Sequence, residues 1–132
     1  MRTLTWQKDL VDYFKANLET PFKWGQFDCC LFAANCCKIV CGKDPAEPYR
    51  GTYDSEVGAR KAILRNHRTI AKAFGDMFQE VNPKMAQRAD VVLIDGDMGE
   101  TIGVLWNGQV WAVGLTGLVV TTPKILRAWR VE

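Results

Sequence analysis

The apolar pattern of this chain changes period once, near Pro83, and that change limits its fold more than any single motif does. Upstream, Trp6, Leu10, Phe14 and Leu18 recur every four residues, which predicts an amphipathic helix behind a Thr3 or Thr5 cap. Pro21 and Gly25 interrupt it and leave a loop. Asp28 then suits the N-cap of a second helix over residues 29–41, and Gly42 suits its C-terminal stop. Residues 43–53 hold two prolines and a glycine and read as an irregular connection. A third helix, capped by Asp54 or Ser55, is expected to run to residue 65. A fourth, over residues 69–78, would bury Ile70, Phe74 and Met77 or Phe78.

Downstream the signals are those of strands. Val91-Val92-Leu93-Ile94 is a short apolar run closed by the turn-rich Asp95-Gly96-Asp97-Met98-Gly99. Residues 101–106 and 109–113 flank Asn107-Gly108, a pair that suits the tight type I′ turn of a hairpin. Residues 118–121 and 125–131 supply two more strands. Helices first and a meander of about five strands afterwards predict an α+β domain, its N-terminal helices packed on a C-terminal antiparallel sheet. With no repeat or linker, and with 48% hydrophobic residues, residues 1–132 read as a single domain.

Composition removes several function classes. The formal net charge is +2, and Lys and Arg are scattered rather than massed, so no nucleic-acid partner is expected. The short Arg65-Asn66-His67-Arg68 stretch reads as a solvated helix end. No apolar run is long enough to span a membrane, and the first residues carry acids and aromatics where a signal peptide would be apolar. The expected setting is a reducing bacterial cytoplasm, where disulfides are rare.

All five cysteines, Cys29, Cys30, Cys36, Cys37 and Cys41, fall within thirteen residues of the second helix. Positions seven apart on a helix differ by about 20° of rotation. Cys29 and Cys36 therefore share one face, and Cys30, Cys37 and Cys41 a neighbouring one. A zinc or iron–sulfur site needs ligands converging from separate elements, and His67 is the only histidine, so neither a metal nor a cofactor is expected. Cys30, Cys37 and Cys41, interleaved with alanines, leucine and isoleucine, suit a core. Cys29 differs because it occupies the first turn, where free N–H groups and the helix dipole favour a thiolate.

These residues resemble a known family. Trp24-Gly25 followed by Phe27-Asp28-Cys29 and a helix is similar to the nucleophile segment of the NlpC-type papain-like cysteine peptidases, which cut peptide stems of the bacterial cell wall. Arg88-Ala89-Asp90-Val91-Val92-Leu93 resembles that family's "R-G-D-hydrophobic" strand, with Ala89 where glycine is usual. Thr101-Ile102-Gly103-Val104 followed by Asn107-Gly108 resembles its "H-V-G-I" strand and hairpin. The likeness runs in order over residues 22–113. The Arg50-Gly51-Thr52-Tyr53 segment, Gly117-Leu118 and Ala128-Trp129-Arg130-Val131 resemble a subgroup from phages and prophages. The resemblance implies Cys29 as nucleophile, Asp28 as helix cap, and a substrate or partner cleft near Trp24, Gly25 and Arg50, although an arginine in that connection is by default solvated.

The resemblance fails at the base. A thiol needs an imidazole to take its proton and return it to the leaving amine. The family's histidine position is Thr101 here, and the orienting group would fall near Ala112 or Val113, neither of them polar. His67 reads as exposed between arginines. A carboxylate such as Glu100 or Asp97 would raise the thiol pKa and make a poor proton donor. Trp106, Trp111 and Trp129 read as core and rim, and Gly96, Gly99 and Gly103 do not form a phosphate loop. The expectation is a degenerate catalytic site in an assembly protein of a phage tail tip or baseplate. Its partners would be other tail proteins and peptidoglycan, and its final location the virion. The alternative is an active cysteine hydrolase of stem peptides.

Overall fold

A computed structural model describes residues 1–96 and 99–132. Four helices come first: α1 (Trp6–Ala16), α2 (Cys29–Cys41), α3 (Glu56–Asn66) and α4 (Ile70–Gly75). Six strands follow: β1 (Gln79–Val81), β2 (Val91–Gly96), β3 (Gly99–Trp106), β4 (Gln109–Gly114), β5 (Gly117–Thr121) and β6 (Ile125–Arg130). They form one antiparallel sheet in the order β1-β6-β2-β3-β4-β5. The α+β arrangement of helices then antiparallel sheet is the expected one.

Local signals account for most of these elements. Asp28, Ser55 and Thr69 each accept a backbone N–H at the head of α2, α3 and α4, and Gly42 ends α2 with φ +77°. Asn107 and Gly108 both take positive φ, 51° and 78°, and close the β3–β4 hairpin. Leu10 and Phe14 of α1, with Phe32, Ala33, Cys36, Cys37 and Val40 of α2, pack against Ile102 and Val104 of β3 and Trp129 of β6. Several of the sequence expectations need correction. Helix α1 stops at Ala16, leaving Leu18 half exposed, and Thr5 donates its hydroxyl to Asp9 instead of capping. Strand β1 was absent from the expected set, and helix α4 is shorter than its pattern implied. Above all, the sheet is not a simple meander: β6 returns to lie between β1 and β2, which puts Trp129 at zero exposure in the centre. The turn expected at residues 95–99 has its middle outside the described residues.

One buried acid ties the ends of the chain to this sheet. Asp90, fully buried, accepts from Arg2 (3.0 Å), the Val131 N–H (3.1 Å), Arg130 (2.9 Å) and the Gln87 N–H (2.8 Å). Ala89, before it, adopts φ +73°, a left-handed conformation that glycine takes without cost.

Candidate functional site

The loop before α2 is folded back on itself: Phe27 donates to the Lys23 carbonyl, and Lys23 pairs with Phe27 in an isolated bridge. Trp24, half-buried, lies edge-on to Phe22 at 4.7 Å, and Gly25 makes the turn with φ +80°. The Gly25 N–H donates to Asp28 Oδ2 (3.1 Å), while Asp28 Oδ1 accepts from Leu31 (2.9 Å) to cap α2. From the connection between α2 and α3, Tyr53 donates its hydroxyl to Asp28 Oδ2, so one buried carboxylate binds three segments. A methyl group on Gly25 would overlap the Tyr53 carbonyl. Gly25→Ala is therefore expected to lower stability by about 2 kcal/mol, from the left-handed backbone and the clash together, read as a fall in urea midpoint.

Cys29 stands at the start of α2, half-buried, with its sulfur 3.9 Å from that of Cys30. Its thiol is lowered to about 6, first by the hydrogen bond with Cys30 and then by the polar Thr101 hydroxyl and Ile102 N–H on β3, against burial and the nearby Asp28 charge. Cys30 is pushed up, first by donating to Cys29 and then by its own burial. Cys36 and Cys37 are buried and raised by that burial. Cys41 is half-buried, not core, and donates to the Cys37 carbonyl at 3.3 Å. Cys30 is half-buried too, in the wall of an apolar pocket with Leu31, Ala34, Tyr49, Tyr53 and Phe74.

Other expected site residues lie elsewhere or are already engaged. Arg50 is not simply solvated: it pairs with Asp44 (2.8 Å) and donates to Asn35 Oδ1 (2.7 Å), and Asn35 in turn donates to the Tyr13 hydroxyl (2.9 Å). Asn35 is six residues down α2 from Cys29, about 9 Å along the axis. His67 is not exposed either. Its ring stacks on Tyr49 with Nδ1 2.6 Å from the tyrosine oxygen, and Nε2 faces Asp76 at 3.8 Å. Proximity of the arginines in sequence misled here, because Arg68 turns away with φ +73° at the helix end. Glu100 is exposed and its charge acts on Arg127; Asp97 lies outside the described residues. Ala112 is buried and Val113 packs on the core, so the third catalytic position is hydrocarbon. Two participants were missed from sequence, Tyr53 and Cys30. The first stands in a segment already singled out; the second had been read as core filling. The described residues hold no group of three or more metal-binding side chains.

Chemically, the site offers a stabilised thiolate, a hydroxyl, a backbone donor and a second thiol. Among the described residues no imidazole stands beside this thiol to return a proton to a leaving amine, since His67 is engaged by Tyr49.

A family model described as "Domain of unknown function (DUF6950)" matches residues 1–131. No curated protein matches. Among solved structures, RipD from Mycobacterium tuberculosis, described as a non-catalytic NlpC/p60 domain protein with an adaptation to peptidoglycan-binding function, is similar. The identity is 15%, the TM-score 0.50, and the alignment covers 98% of this chain and 100% of that one. The likeness supports an NlpC-like fold.

Proposed function

We propose that this chain, which belongs to the DUF6950 family, works by binding and not by hydrolysis, as an assembly component of a phage or prophage tail tip or baseplate. One observation carries the non-catalytic part: the chain's single imidazole, His67, is held by Tyr49 and faces Asp76, while the family's histidine position on β3 is Thr101. Loss of a general base lowers rates by on the order of 10²–10⁴. The tail context is supported by the resemblance of the Arg50-Gly51-Thr52-Tyr53 and Ala128-Trp129-Arg130-Val131 segments to the phage subgroup. The structure gives those segments scaffold roles, with Tyr53 fixing Asp28 and Val131 fixing Asp90. The partner is a neighbouring tail protein, and cell-wall peptide is a second ligand of the cleft, a reading supported by the peptidoglycan-binding description of RipD. The chain would be made in the bacterial cytoplasm and carried in the virion.

Incubation with purified sacculi tests the non-catalytic reading. The chain is expected to release no peptide fragments. Release that disappears in Cys29→Ala would establish the alternative, a cysteine hydrolase, which the lowered thiol favours. Mass spectrometry of virions induced from the encoding lysogen is expected to find the chain; its absence from intact particles would remove the tail assignment.

A further inference from the structure

We propose that Cys29 and Cys30 form a peroxide-reactive dithiol, in which Cys29 is oxidised first and Cys30 resolves it to a disulfide between neighbours. This goes beyond the binding role and does not depend on it. Three features of the geometry carry it. The two sulfurs are 3.9 Å apart in the same helical turn. Both residues are half-buried, whereas Cys36 and Cys37 are buried. Cys29 is the first residue of α2, where the positive end of the helix favours its anionic form, the form that attacks peroxide, in line with its lowered thiol.

The steps balance. The Cys29 thiolate attacks one oxygen of hydrogen peroxide; an S–O bond forms, the O–O bond breaks, and the hydroxide released takes up the proton that the thiol gave to solvent on ionising. Sulfur has lost two electrons and the peroxide has gained them, leaving a sulfenic acid and water. Cys30 next loses its proton to solvent and attacks the Cys29 sulfur. An S–S bond forms, the S–O bond breaks, and the departing hydroxide leaves as water with that proton. The order is set by charge. The Cys29 thiolate is one of the causes that hold Cys30 protonated, and a neutral sulfenic acid removes it.

Cys30 is the only thiol of the chain placed to resolve Cys29. Cys36 is seven residues along α2, about 10 Å in helical rise, beyond the reach of a disulfide without backbone movement. Adjacent α-carbons are held about 3.8 Å apart by the trans peptide, below the usual span of a disulfide. The bond is consequently strained and readily reduced. Closing it pulls the first turn of α2 out of helical geometry and loosens the Leu31–Asp28 cap. Oxidation would thus remodel the head of α2 reversibly.

Treating the intact chain with a slight excess of hydrogen peroxide, followed by alkylation and peptide mapping, tests the assignment. The peptide holding Cys29 and Cys30 is expected to lose two hydrogens, to resist alkylation, and to regain both thiols with dithiothreitol. Cys30→Ser should trap a sulfenic acid on Cys29 that dimedone captures, and Cys29→Ser should give neither product at the same dose. A wild-type digest in which Cys29 is paired with Cys36, Cys37, Cys41 or another chain overturns the proposal. So does one in which Cys29 and Cys30 both remain alkylatable, or peroxide consumption by Cys29→Ser as fast as by wild type.

Discussion

Asp90→Ala is expected to lower the unfolding free energy by about 3–4 kcal/mol, a large part of the roughly 5–15 kcal/mol typical of a domain. The carboxylate is fully buried and its two oxygens accept four donors, from Arg2, Arg130, Gln87 and Val131. Alanine removes the carboxylate that pairs with two guanidinium groups that are themselves 16% and 22% exposed. It also orphans the buried Val131 N–H, and an unmet buried donor costs about 1–3 kcal/mol, whereas the Gln87 N–H, on an exposed residue, can turn to water. Partial access of water to both arginines keeps the loss toward the lower end of what breaking a buried pair costs. Asp90→Asn separates charge from shape: its amide oxygen can still accept from one side while its nitrogen faces donors, so about 2 kcal/mol should go. Urea titration reads both as a lower midpoint with an unchanged slope. A loss below about 1 kcal/mol for the alanine variant would mean that the network does not hold the ends of the chain to the sheet.

The part of this architecture that was legible in sequence is the part fixed locally. Asp28 before an apolar run and Gly42 after it define α2 because a cap and a left-handed stop act within a single turn. Asn107-Gly108 likewise settles a hairpin register by its own dihedral angles. What could not be read was decided across distance. The return of β6 to pair with β2, and the short β1 beside it, depend on which edge of a finished sheet lies free for residues 79–81 and 125–130. His67 shows the same limit: two flanking arginines describe the chain's local polarity, yet the ring's fate was set by Tyr49, eighteen positions away. Arg50 was open to misreading for the same reason, since Asp44 is near in sequence but Asn35 meets it only once α2 has formed. At the site, Thr101 in place of an imidazole was readable from one aligned strand. The Cys30 contact was not, because a cysteine in a helical apolar run has no sequence mark that tells a lining thiol from a core one.

Iodoacetamide is expected to modify Cys29 before the other four thiols, with a rate that reaches its plateau by about pH 7 and falls about tenfold per unit below pH 6. The sign follows from the causes. The hydrogen bond with Cys30 and the polar groups of Thr101 and Ile102 stabilise the anion and outweigh burial and the charge of Asp28, so the thiol is lowered to about 6. About nine-tenths of Cys29 is then thiolate at neutral pH, against on the order of 1% for an unshifted cysteine. That gain is not passed on in full, since nucleophilicity falls with basicity with a slope of about 0.4–0.5. Over three pH units the penalty is roughly twentyfold, leaving an advantage of only several-fold over an ordinary exposed thiol. Against Cys36 and Cys37, each 1% exposed and raised by burial, the advantage is at least about 100-fold, because both thiolate fraction and access are lost. Cys30→Ala removes the first of the donors and should move the labelling midpoint upward, toward that of an unfolded chain in urea. A folded protein whose Cys29 labels with a midpoint near 9, or after Cys41, has no stabilised anion at the head of α2. The same experiment bears on hydrolysis. A sulfur already ionised at neutral pH has no need of a base to lose its proton, so the missing function is the later one, protonation of the leaving amine. Thr101→His, which puts a ring nitrogen at the family's histidine position, is the substitution by which peptide release should first appear.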